Sequence, residues 1–460
     1  MIQRYFLRII PYDGKGIYLI QEGGLSLPYI DVTYPNDMPE RKLTETILCA
    51  VQKKYYIFGV LLKIESLSGR KLCYIDEAED LIKIRGSQIK KCAVHQISEV
   101  YQRLMVEHFD LLLHHYRCVE LSPWEASGWF PMVVRWVKEQ LLCRKEVLQG
   151  VPVQIKGAWP RSTVLRIKTK NTTYYLKWGY LIPPAEHKVI CFLAKFVPQM
   201  VPSVIATHDT RNMFIMEEFL AVEKKYINIQ IRIQAVKAFS SIQIASIAHV
   251  MKLKHWGCMS LDGLTLYRYF NEFMRDKSLF QYGLSKADTK KMKSISLFVE
   301  RDCKQLLTAI CPITLNNEDF QDGNIAMQNK NVVIYDWANT FLAHPFFSFH
   351  YYLYRYRDDM KLFEKSDGEL KNSLQMLVKH YLTPWCKKFT DVWNIIEEWK
   401  ITTRLFWLVE AIKCKRERQY INSNSEWDNN ISYHIVQSIR SLCEVYESEI
   451  NRHCKEKMKK

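Results

Sequence analysis

The sequence has no apolar stretch approaching the ~20 residues that a membrane-spanning helix needs, so no span is expected. Its N-terminus, MIQRYFLRIIPYDGKG, also lacks the apolar core and small-residue cleavage site of an export signal. Cysteine is present 13 times but never as CxxC, and the spacing of Cys386 and Cys414 fits no zinc pattern. An odd count without a framework reads as reduced, mostly buried thiols, and with the missing signal it gives an expected cytoplasmic location. Gly and Pro number only 16 and 15, which excludes collagen-like and low-complexity chains. No internal repeat of solenoid length occurs. Runs of five basic residues are missing, as are helix-turn-helix, zinc-finger and RNP-type motifs, so no specific nucleic-acid partner is expected.

What is present is an ordinary globular balance: 48% hydrophobic and 25% charged residues in a chain of 460. That length allows about two to four domains. The formal charge is +16, and it is unevenly spread. Residues 1–140 hold 18 basic and 17 acidic side chains, so nearly all the excess lies beyond them. Such an excess suits a solvated lysine-rich surface or attraction to anions.

To about residue 125 the chain reads as a small α+β unit. RYFLRII and GIYLIQ are expected strands around the turn PYDGKG, LTETILCAVQKKY is a helix, YYIFGVLLKI and KLCYIDEA are β-rich, and 94–116 is a long helix. ELSPWEASGWFP is the expected joint. From 126 to 220 a helix, MVVRWVKEQLL, precedes a strand-rich stretch, and from 221 to 460 helices dominate.

Four pieces carry chemistry. In KGAWPRSTVLRI a turn around Gly157, with Ser162 beyond it, offers backbone N–H groups to phosphates, although a plain hairpin has the same pattern. Lys177 in YYLKWG lies nine residues before Glu186 on the next helix, a spacing that allows an ion pair holding the ammonium against nucleotide phosphates. The segment ITLNNEDFQDGNIAM followed by NVVIYDWANT places Asp319 five residues before Asn324 and Asp336 twelve beyond it. Phosphoryl transfer needs a carboxylate for the acceptor hydroxyl and oxygen ligands for Mg²⁺; Asp319 suits the first role, Asn324 and Asp336 the second. An Asp/Asn-rich turn is the bland reading of the same residues. Met216, Glu217, Glu218 and Phe219 in MEEFL form a connector whose backbone can meet an adenine edge.

Over residues ~145–420 these motifs resemble the aminoglycoside phosphotransferase/choline kinase-like family, relatives of protein kinases. The resemblance implies an α+β, bilobal protein-kinase-like fold with an additional N-terminal α+β domain. It implies ATP (or GTP) and Mg²⁺ as cofactors and a small hydroxylated acceptor, an antibiotic or a metabolite. By the same resemblance Lys177 anchors the phosphates, Glu186 orients it, Asp319 is the base, and Asn324 and Asp336 hold the metal. The family's HGDxHxxN pattern is altered: Asn317 stands for the first His, Glu318 follows it, and Gln321 stands for the second His. Those changes leave open an alternative, a catalytically silent pseudokinase with a binding or regulatory role. The N-terminal part loosely resembles a Nudix fold, but Glu45 alone cannot assemble that enzyme's carboxylate cluster, so a structural or substrate-recognition appendage is expected.

Charge divides along the same lines. Residues 151–220 carry nine basic and four acidic side chains, whereas 312–360 carry three and six. Tyr351, Tyr352, Trp399 and Trp407 are candidate walls for the acceptor, and Asp358 and Asp359 candidate partners for an amine, though core packing for the first four and a solvated acidic turn for the last two are the commoner explanations.

Overall fold

The computed structural model describes residues 2–10, 17–21, 25–26, 28–33, 40–55, 57, 59–67, 70–77, 89–92, 124, 129–156, 161–179, 185–208, 210–221, 226–362, 367–420 and 426–457. They form two compact units, one of residues 1–180 with 204–218, the other of 181–203 with 219–460. The expected α+β class is the class observed.

The first unit is strand-rich. β1 (Ile2–Ile10), β2 (Ile17–Gln21), β3 (Leu25–Ser26) and β4 (Tyr29–Thr33) precede the helix α1 (Glu40–Tyr55). After it come β5 (Gly59–Leu67), β6 (Arg70–Glu77) and β7 (Ile89–Cys92). One sheet has the order β4-β1-β6-β5 and a smaller one β3-β2-β7. Buried Tyr5, Leu7 and Ile9 alternate along β1 and pack with Ile47 and Val51 of α1. The expected helix over 94–116 and the PYDGKG turn lie outside the described residues.

Helix α2 (Trp129–Cys143) begins three residues before the expected MVVRWVKEQLL, because Pro131 sits in its first turn, where a missing N–H costs nothing. Phe130, Val133, Val134, Val137 and Leu141 give it one apolar face. That face meets alternate residues of an antiparallel sheet made of β8 (Val153–Lys156), β9 (Ser162–Lys168), β10 (Thr173–Gly179), β11 (Val204–Thr207) and β12 (Met213–Glu217), in the order β11-β12-β10-β9-β8. Val60 and Leu72 of the first sheet join the same core. Buried Gln154 completes the join, its Oε1 accepting from the Leu61 N–H at 2.7 Å.

The second unit is mostly helical. It contains α3 (Glu186–Phe196), β13 (Leu220–Ala221), α4 (Ile229–Ser246), α5 (Val250–His255), β14 (Met259–Leu261), α6 (Gly263–Arg275) and α7 (Lys286–Gln305). β15 (Thr314–Asn316), β16 (Ile325–Gln328), β17 (Asn331–Ile334) and β18 (Phe341–Ala343) follow, then α8 (Phe346–Leu362), α9 (Asp367–Phe389), α10 (Val392–Arg418) and α11 (Glu426–Lys457). Asn228 caps α4, Asp262 caps α6, and Ser285 with Asp288 forms a capping box on α7. Leu266 and Phe270 of α6, Ile295 and Val299 of α7, Leu405 and Ile412 of α10 and Ile435 and Ile439 of α11 share one core. Two three-stranded sheets, β13-β16-β17 and β14-β18-β15, lie among the helices and carry the acidic segment. Among the described residues no helix is long and apolar enough to cross a membrane.

Candidate active site

The Asp319 segment is a loop fastened at each turn. It leaves β15 at Asn316, which is fully buried and spends its amide on four groups: the carbonyls of Thr314 and Ala343 accept from Nδ2, and Gln243 and the Ser348 N–H donate to Oδ1. Phe320 is fully buried and stacks on Phe239 at 4.0 Å and Tyr352 at 4.7 Å. Two residues on, buried Asp322 accepts from Arg232 at 2.8 Å and from the Tyr352 hydroxyl at 2.8 Å. Burying that carboxylate without these partners would be costly.

Between those anchors sits Asp319, half-buried. Gln321 Nε2 donates to its Oδ1 at 2.7 Å and the Tyr351 hydroxyl does so at 3.1 Å. Asn324 Nδ2 donates to its Oδ2 at 2.9 Å and to its main-chain oxygen at 2.7 Å. Burial, and the Asp319 charge after it, push the Tyr351 phenol well up, which keeps it a donor. A carboxylate has about four acceptor positions, and the three side-chain donors leave one for an acceptor hydroxyl.

Asn317 ties this loop to Asp336. Its Oδ1 accepts from the Asp319 N–H at 2.8 Å and its Nδ2 donates to the Asp336 carbonyl at 3.0 Å. Asp336 follows the β16–β17 hairpin, whose two-residue turn, Asn329 and Lys330, has the positive φ values of 50° and 67° that such hairpins need. Asp336 itself has φ 60°, and on either side of it the Tyr335 N–H donates to Asn324 and the Trp337 N–H to Glu186. The structure therefore joins Asp319, Asn324, Asp336 and Glu186 through hydrogen bonds within one unit.

Lys177 lies in β10 of the first unit and is buried, on the sheet face opposite Leu176 and Trp178. Ser162 opens β9, paired with Gly179; Gly157 lies outside the described residues. Met216 and Glu217 end β12, and Glu218 closes the first unit with its N–H on the Thr173 carbonyl. Phe219 belongs to the second unit, its ring 4.8 Å from Tyr335. Of the aromatic candidates, Tyr351 reaches Asp319 and Tyr352 reaches Asp322, while Trp399 packs on Phe346, Phe349 and His350 and Trp407 on Tyr354 and Phe406. Glu45 meets Arg166 at 3.4 Å. Sequence reasoning missed Arg232, Glu410 and Lys413; the last two, three apart on α10, were visible as a helical charge pair.

Two other features of the second unit stand apart from this loop. Cys311, His344 and Glu398 bring three metal-ligand atoms within 4.8 Å of one another, all buried. Their hydrogen bonds are already made: Glu398 accepts from the N–H groups of Ile310 and Cys311 and from His344 Nε2, and the Phe346 N–H donates to His344 Nδ1. The cluster thus fastens the 310–311 turn to α10. A cavity of about 720 Å³ between α7, α10 and α11 is lined by Arg301, Gln305, Asn394 and Arg404 and by no residue of the 317–337 segment.

No protein-family model and no curated protein matches the sequence. Solved structures do. The chain is similar to small-molecule kinases. They include a choline kinase from Cryptosporidium parvum (11% identity, TM-score 0.49, covering 70% of this chain and 96% of that one). An ethanolamine kinase from Plasmodium vivax has 16% identity and a TM-score of 0.43, with 64% and 84% covered. A macrolide 2′-phosphotransferase from Brachybacterium faecium has 8% identity and a TM-score of 0.41, with 66% and 98% covered. At these values the chemistry of the site rests on its own geometry.

Proposed function

We propose that the protein is a phosphotransferase that moves the γ-phosphoryl group of ATP (or GTP) to a hydroxyl of a small molecule. The observation that carries this reading is the hydrogen-bonded union of Asp319 with Asn324 and Asp336 through Asn317. In it, Asp319 receives the acceptor hydroxyl at its remaining lone pair and takes its proton as the new O–P bond forms and the bond to the nucleotide's bridging oxygen breaks. Gln321, Tyr351 and Asn324 hold the carboxylate in place during that transfer. Asn324 turns its Nδ2 to Asp319, which leaves its amide oxygen as the ligand atom; with the Asp336 carboxylate it makes a hard oxygen set that fits Mg²⁺. Mg²⁺, when bound there, neutralises charge on the phosphates. Lys177 is the phosphate anchor and Glu186 its orienting carboxylate, while the backbone of Met216 to Phe219 offers donors and acceptors to the adenine edge and Gly157 with Ser162 cover the phosphates.

The test is ATP consumption with Mg²⁺ across a panel of hydroxylated metabolites and antibiotics, wild type beside Asp319→Ala. Turnover with some acceptor, abolished by Asp319→Ala, is the expected result. Turnover that survives in Asp319→Ala refutes the assignment of the base. Thermal stabilisation by nucleotide with no turnover for any acceptor supports the silent, regulatory reading instead.

A further inference from the structure

Lys413, on α10, keeps its ammonium inside the protein, with only 5% of the residue exposed. An ammonium has three N–H donors, and three acceptors surround this one: Glu410 Oε1 at 2.8 Å, Glu410 Oε2 at 2.9 Å and the main-chain oxygen of Glu318 at 3.0 Å. The Tyr351 ring lies against it, 4.3 Å from Nζ to centroid, a cation–π contact.

The Glu318 carbonyl and the Asp319 N–H belong to one peptide group, and that group is planar. Lys413 holds its oxygen, and Asn317 Oδ1 holds its N–H at 2.8 Å. Fixing both ends of the plane places the Asp319 Cα, and with the Asp319 carbonyl held by Asn324 Nδ2 it sets the direction in which the side chain leaves the backbone. The same ammonium backs the Tyr351 ring, whose hydroxyl donates to Asp319 Oδ1. One buried charge thus touches two of the supports of the carboxylate, the peptide behind it and the phenol beside it.

Stability alone does not account for such a pair, since well-packed apolar residues often replace a buried ion pair at no cost. An apolar pair cannot hold a carbonyl. Burial works to lower Lys413, and Glu410 and Glu318 more than reverse it, so the side chain stays a cation. Burial pushes Glu410 up, with Lys413 pulling against it.

We infer that Lys413, neutralised by Glu410, is a positioning residue that orients Asp319 for proton transfer through the Glu318–Asp319 peptide and the Tyr351 ring. This rests on the reading of Asp319 as the base.

The test uses the full chain and Mg²⁺-ATP with water as the acceptor, the slow hydrolysis open to such a site whatever its natural substrate. Lys413→Met/Glu410→Gln, Tyr351→Phe and Asp319→Ala are compared with wild type. In the double variant the melting midpoint and the half-saturating ATP concentration stay near wild type, and turnover falls about 10- to 100-fold, the cost of a misplaced group. Tyr351→Phe removes only the hydroxyl and lowers turnover in the same direction. A folded double variant with wild-type turnover overturns the inference; should the double variant not fold, wild-type turnover in Tyr351→Phe does so. If Asp319→Ala also keeps its turnover, the reading of the base has failed. If only Asp319→Ala is inactive, the Lys413 inference alone has failed.

Discussion

Asn317 donates to the main-chain carbonyl of Asp336 at 3.0 Å while accepting from the Asp319 N–H, so one neutral amide sets the separation of the two acidic segments. Alanine at 317 leaves both backbone groups without this partner in a buried place. The expected loss is about 1–3 kcal/mol of stability, read as a lower urea midpoint. Asn317→Asp keeps the acceptor but sets a buried carboxylate oxygen against the Asp336 carbonyl, and its midpoint falls at least as far as that of the alanine variant.

Arg232 and Asp322 form a buried ion pair, 2.8 Å apart, that steadies the turn between Asp319 and Asn324. Arg232→Met strands a carboxylate in the interior and costs about 3–5 kcal/mol. Arg232→Met/Asp322→Asn recovers part of that loss. A double-mutant cycle by chemical denaturation measures the coupling; additive losses would show that the pair contributes nothing jointly.

Removing the metal with EDTA stops turnover under the proposed function. Asn324→Ala and Asp336→Ala each raise the Mg²⁺ concentration needed for half-maximal turnover. Asn324→Ala also lowers turnover at saturating Mg²⁺, since it deletes the donor to Asp319 Oδ2. A wild-type Mg²⁺ requirement in both variants refutes the assignment of these ligands.

Acid weakens the second unit through its buried histidines. Burial pushes His350 down from 6.5 to about 3, and burial also lowers His344 although Glu398 opposes it. His350 stays neutral in the folded protein where the unfolded chain takes up a proton below 6.5, so its contribution is full above that pH and is lost as pH drops towards 3, and His344 acts in the same direction. The slope is about 1.4 kcal/mol per pH unit for each such proton. Urea midpoints at pH 7, 6 and 5 measure it, and His350→Gln flattens the fall.

Gly263 opens α6 against α7, and a Cβ there would lie 1.9 Å from the Cys303 carbonyl oxygen. Gly263→Ala forces one helix off the other and lowers stability by about 1–3 kcal/mol. Calorimetric melting of the variant checks it.

Much of the secondary structure was legible because its signals are local: the alternation in YYLKWG and the apolar face of α2 both lie within a few residues. The start of α2 was misplaced by one turn because Pro131 reads as a breaker unless its position within the helix is known. At the candidate site, spacing singled out Asp319, Asn324 and Asp336. Their supports were not readable, since Arg232, Tyr351 and Lys413 stand 90, 32 and 95 residues from their partners and meet them only through packing. Glu186 likewise meets the Trp337 amide 151 residues away.

Asn317 and Gln321 have a further consequence. No histidine occurs between residues 312 and 343, so the loop's hydrogen bonds run through amides, a phenol and carboxylates, none of which ordinarily changes charge near neutrality. The donors and acceptors around Asp319 are thus set by groups with fixed roles, with no imidazole tautomer to choose between.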